Sequence, residues 1–134
     1  MTIDLSTSKE LQLHLDPVAS EDRFPSIAFD IEAKLTMPFQ QTTISIKECW
    51  FSHADLNRFE DELGTLCHQE YGSAILRNMD EAQIVAVDRN NDRITIRVQA
   101  ADTAGIGKVV LEVTGYPSEI ATMLEKVRGY PKWW

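Results

Sequence analysis

Thr43-Ile44-Ser45-Ile46-Lys47-Glu48-Cys49-Trp50-Phe51-Ser52-His53-Ala54-Asp55-Leu56-Asn57-Arg58-Phe59-Glu60-Asp61-Glu62-Leu63 carries an alternating strand straight into a capped helix. Ile44, Ile46 and Trp50 fall on one side of the extended part, and Thr43, Ser45 and Lys47 on the other. Such period-2 alternation suits a sheet with one buried face. Ser52 is placed to act as N-cap, and Asp55 three residues later can complete a short-armed capping box. Phe51 and Leu56 have the spacing of a hydrophobic staple, which sets the angle at which helix leaves strand. Leu56, Phe59, Leu63, Leu66 and Cys67 then form an apolar stripe, with Asn57, Arg58, Glu60, Asp61 and Glu62 on the wet side. The helix is expected over Ser52–Tyr71, with Gly72 as its C′ residue. Gly64 costs it about 1 kcal/mol relative to Ala.

Working outward from this segment, the pattern predicts more strands on both sides. Leu11, Leu13 and Leu15 alternate with Gln12 and His14 in a strand that Asp16-Pro17 ends. Ile27, Phe29, Ile31, Ala33, Leu35 and Met37 share one face of a longer strand, with Asp30, Glu32, Lys34 and Thr36 on the other. Pro38 with Gln40-Gln41 turns that strand into the Thr43–Trp50 strand. Beyond the helix, Ser73–Arg77 reads as a short edge segment. Gln83–Asp88 and Arg93–Gln99 flank Arg89-Asn90-Asn91-Asp92, a hairpin tip in which Asn tolerates positive φ. After the Ala100–Gly107 loop comes the Lys108–Thr114 strand. Pro117 suits the first turn of a second helix over Pro117–Gly129, striped by Ile120, Leu124 and Val127. The expected fold is α+β, ordered β-β-β-α-β-β-β-α: one antiparallel sheet of about six strands with two helices on one face. Residues 1–134 make a single domain, with 1–9 and 130–134 as flexible ends. Trp50, Leu56, Phe59, Leu63, Ile94, Ile96, Leu111 and Leu124 are the expected core.

A chain of 134 residues with 43% hydrophobic content can build a core without covalent staples. Cys49 and Cys67 are too few for a disulfide framework and read as buried reduced thiols. Met1–Leu15 carries Asp4 and Glu10 and has no apolar run of signal-peptide length, and no segment is long enough to span a bilayer. A cytoplasmic location is therefore expected. Thirteen basic residues against 21 acidic ones give a net charge of −8, which argues against binding nucleic acid or anionic lipid directly. The same balance suits solubility, or a meeting with a basic partner.

Catalytic chemistry finds little footing. His14, His53 and His68 have no partner at metal-ligand or triad spacing. Gly105-Ile106-Gly107-Lys108 imitates a phosphate loop, but Asp102 stands at the first glycine position and Val109 replaces the magnesium-binding hydroxyl. Asp88-Arg89-Asn90-Asn91-Asp92 imitates a calcium loop, but Arg93 takes the glycine position and Gln99 that of the bidentate glutamate. Neither metal nor cofactor is expected. Two features suit binding instead. One is the polar sheet face bearing Asp30, Glu32 and Lys34, with Arg97 and Glu112 on other strands; any half-exposed sheet also generates such charges. The other is Tyr130-Pro131-Lys132-Trp133-Trp134, either an interface hot spot or a cover over the core edge.

Trp50 to Leu63 resembles the strand-to-helix signature of WapI-type immunity proteins. The Asp88–Val98 hairpin, the Lys108–Thr114 strand and Pro117–Val127 resemble the second half of that family, so the likeness covers roughly residues 10–128. Members of the family are small bacterial cytosolic proteins that neutralise a cognate contact-dependent toxin. The resemblance implies a non-catalytic inhibitor acting by direct protein contact on a toxin, basic nucleases being the type an acidic inhibitor suits. The toxin-binding residues of the family vary between members, so none is carried over by position. The residues themselves nominate Asp30, Glu32, Glu60 and Asp61, together with Trp133 and Trp134, as partner-binding candidates. The alternatives are an adaptor or assembly subunit of another bacterial complex, and a small enzyme built around the histidines.

Overall fold

The computed structural model describes residues 2–7, 10–101 and 104–130. Its elements are β1 (Ile3–Asp4), β2 (Leu11–Glu21), β3 (Ser26–Met37), β4 (Gln40–Ser52), α1 (His53–Leu66), β5 (Tyr71–Arg77), β6 (Gln83–Asn90), β7 (Arg93–Ala101), β8 (Lys108–Gly115) and α2 (Ser118–Gly129). The α+β class and the presence of two helices agree with the sequence, although α1 ends at Leu66, short of the expected Tyr71. The single six-stranded sheet does not agree. Two antiparallel four-stranded sheets form instead, one ordered β1-β2-β3-β4 and the other β5-β6-β7-β8. The reason lies at α1. The backbone N–H of Ile75 donates to Glu62 Oε1 at 3.1 Å, so the helix borders the open side of β5. It lies along the side of β5 that has no strand partner, and it shields an edge that would otherwise be open to pairing. Gly72 allows the close approach: a Cβ there would lie 3.1 Å from Leu66 Cδ2.

Ile3, Leu5 and Tyr130, which fall in segments expected from the sequence to be flexible ends, pack into the fold. Ile3 and Leu5 are buried, and Ile3–Asp4 pairs with Leu15–His14. Tyr130 is buried as well, its ring centroid 5.9 Å from that of Phe29. Strand β2 continues through Pro17, with a register shift between Pro17 and Ala19 absorbing the residue that cannot donate. Asn91 holds φ 57 at the two-residue tip between β6 and β7, the use of Asn that the sequence indicated.

One hydrophobic cluster joins the inner faces of both sheets to the stripes of both helices. Leu56, Phe59, Leu63 and Leu66 come from α1, and Ile120, Met123, Leu124 and Val127 from α2. Every expected core residue is buried except Trp50. Strand β4 is bulged: Phe29 faces Cys49, whereas Ile31 faces Ile46, with Glu48 at φ 50 between them. The extra residue reverses the alternation. Cys49 and Phe51 turn inward, and Trp50 turns to the outer face. Among the described residues, no helix is long and apolar enough to cross a membrane.

Candidate protein-binding surface

The bulge that expels Trp50 also builds a groove on the outer face of the first sheet. Trp50 stands opposite Ala28 on the outer face of the first sheet. Around it, Glu21, Phe24, Ser26, Met79 and Asp80 enclose a groove of about 410 Å³. Three segments converge there, and each is fixed by hydrogen bonds. At the β2–β3 tip, Ser26 Oγ donates to Phe24 O at 2.7 Å, and Arg23 N donates to Glu21 Oε1 at 3.0 Å. The same tip is tied to α1, because His53 N donates to Pro25 O at 3.0 Å. Residues 78–82 form a closed turn. Asn78 Oδ1 accepts from Asp80 N and Ala82 N, at 3.0 and 2.9 Å. Met79 N then donates to Trp50 O at 2.9 Å, locking the turn against β4. Phe24 and Met79 remain 59% and 41% exposed on these rigid supports. Aromatic walls rimmed by Glu21 and Asp80 form a site suited to the stem and head of a basic side chain.

From Trp50 the same face continues along β3. Ala28, Asp30 and Glu32 follow at two-residue intervals, so each carboxylate lies about 7 Å beyond the previous residue. Asp16 faces Asp30 across β2, and His14 faces Glu32, with Asp4 paired to His14 beyond. This row carries Asp4, Asp16, Asp30 and Glu32 against Lys34 and Lys47. Asp30 is engaged within the fold: Oδ1 accepts from Glu48 N at 2.9 Å, and Oδ2 lies 3.7 Å from Lys47 Nζ. It therefore closes the bulge that sets the position of Trp50. Glu32 is exposed.

The structure thus joins Asp30 and Glu32 to an aromatic groove that sequence reasoning missed. Glu60 and Asp61 belong to a different element, on α1, where Glu60 is half-buried and Asp61 exposed. Asp61 lines a smaller hollow of about 240 Å³ between α1 and β5, beside Arg58, Glu62 and Ser73. Trp133 and Trp134 lie outside the described residues. The one sequence signal for the groove was the adjacency of Trp50 and Phe51, two bulky neighbours that cannot both face one side of a strand.

The histidines fall on separate elements. His14 is on β2, its Nδ1 3.8 Å from Asp4 Oδ1. His53 begins α1 and His68 lies just past its end, which separates them by about 20 Å at the helical rise. Among the described residues, no group of three or more His, Cys, Asp and Glu side chains is arranged to hold a metal ion. Cys49 and Cys67 are free thiols. Burial, and to a lesser degree Asp80, pushes the Cys49 thiol up to about 11 against an opposing hydrogen bond from Asn78. A thiol held protonated in this way is a poor nucleophile. No protein-family model matches the chain, and no curated protein matches it.

Proposed function

We propose that this chain is a non-catalytic binding protein which captures a protein partner through the outer face of its first sheet. In the specific form favoured here it is a cytoplasmic immunity protein that blocks a cognate bacterial toxin by direct contact. The observation that carries the binding reading is the union of a preformed aromatic groove with a row of carboxylates on one face. Rigid aromatics at low ordering cost are what interface hot spots use. Carboxylates beside them would steer a basic surface, such as the cleft of a nuclease, toward the groove. The immunity role rests on the resemblance of Trp50–Leu63 to WapI-type proteins and on the −8 charge.

Co-purification from the host identifies the partner, and a gene directly downstream of a large polymorphic toxin distinguishes immunity from an adaptor role. With the partner in hand, Trp50→Ala is expected to weaken binding by about 2 kcal/mol or more, chiefly by faster dissociation. Asp80→Lys and Glu32→Lys are expected to slow association, with a loss that shrinks as salt rises. Reversal of Asp30 is a less clean probe, because its carboxylate also closes the bulge. If these variants bind normally while removal of Trp133 and Trp134 abolishes binding without unfolding, the groove is the wrong site. Loss of protection on replacing all three histidines by Gln, with the fold intact, would favour the enzyme reading instead.

A further inference from the structure

Among the described residues, three of the four sheet edges are protected by strand length, a bulge or a helix, and the fourth, β8, by none of these. β1 is two residues long, β4 is broken by the Lys47–Glu48 bulge, and β5 is bordered by α1. Short strands, bulges and covering helices are the usual devices against edge-to-edge pairing. β8 is neither short, bulged nor covered by a helix among the described residues, and of the remaining devices it carries only the charges of Lys108 and Glu112. Its pairing with β7 runs from Ala101↔Lys108 to Ile94↔Gly115 without a register shift. Among the described residues no strand pairs with its other side. Val109 and Val110 are 49% and 42% exposed there.

The sequence of this edge is its own complement. Lys108, Val110 and Glu112 share the outer face of the strand, in the order cation, apolar, anion. Laid antiparallel against a second copy with the two-fold axis at Val110, Lys108 meets the partner's Glu112 and Glu112 meets the partner's Lys108. Val110 packs on its own equivalent between these two ion pairs. On the other face Val109 meets the partner's Leu111, which extends the apolar layer of each core. Shifting the axis to Val109 would set Lys108 on Val110, and shifting it to Leu111 would set Glu112 on Val110. Only the central register matches both charges. We infer that β8 is a homodimerisation strand, joining two copies into one eight-stranded antiparallel sheet through an isologous interface centred on Val110.

Sedimentation velocity over a concentration series, with circular dichroism as a check on folding, tests this. The wild-type chain should reach twice its 15.2 kDa mass. Lys108→Glu should raise the dimer dissociation constant on the order of tenfold, because it replaces two attractive cross-strand pairs with two repulsive ones. Glu112→Lys should do the same, although it also removes a partner 3.5 Å from Arg97 Nε. The combined swap, Lys108→Glu with Glu112→Lys, should return the constant to near its wild-type value. A wild-type chain that stays at single-chain mass up to its solubility limit overturns the inference. So does a Lys108→Glu variant that dimerises as tightly as wild type, or a swap as weak as the single reversals.

Discussion

Phe39 holds φ 66 at the Pro38-Phe39 tip between β3 and β4, with its side chain fully exposed. Proline pre-sets the first position of that turn, and the second falls in the left-handed region where a Cβ crowds the backbone. Phe39→Gly should therefore raise stability by about 0.5–1 kcal/mol in urea denaturation, while Phe39→Ala, which keeps the Cβ, should not. Equal stability of the two variants would remove the case for backbone strain. Glu48 is a second such residue, and it shows where residue-level reading stops. Alternation through Ile44 and Ile46 assigns Trp50 to the core, whereas the staple needs Phe51 inside. A bulge resolves the conflict in favour of Phe51, which is completely buried. Glutamate gives no local sign that it will adopt positive φ, so the position of the bulge was not legible in advance, although the adjacency of Trp50 and Phe51 required one of the two to face outward.

At the scale of the element, α1 shows the difference between a start encoded locally and an end imposed from elsewhere. Both arms of the capping box form: Ser52 Oγ accepts from Asp55 N at 3.0 Å, and Asp55 Oδ2 accepts from Ser52 N at 3.2 Å. These contacts span three residues, which is why the sequence revealed them. Ser52→Ala should cost about 1 kcal/mol in chemical denaturation, and Ser52→Thr far less. A loss near zero for the alanine variant would mean that tertiary contacts alone hold the helix start. The other end arrives earlier than Gly72 suggested, at Leu66. There Arg89 Nη1, reaching from β6, donates to Leu66 O at 2.6 Å, and Gly72 serves the approach of β5 instead of a helix cap. A contact between residues 23 positions apart leaves no trace in local periodicity.

Across the whole molecule, the antiparallel meanders and the two stripes were readable because each is a local pattern. Their division into two sheets was not, since it depends on α1 lying against β5. The acidic row on the outer sheet face was likewise visible as alternation, but its union with the Trp50 groove needed three distant segments to meet. That division has a further consequence for the chain as a covalent object. Four strands and a helix precede the exposed Gln69-Glu70 link, and four strands and a helix follow it. Each half draws on the other: α1 belongs to the first by chain and lies on the second by contact, and both contribute to one cluster. Severed at Gln69-Glu70, the protein should behave like a split reporter. The two pieces, co-expressed, should purify together as a folded heterodimer, whereas the 70–134 piece alone should show no cooperative unfolding transition. A stable, soluble 70–134 piece would instead reveal two independent modules joined by a tether.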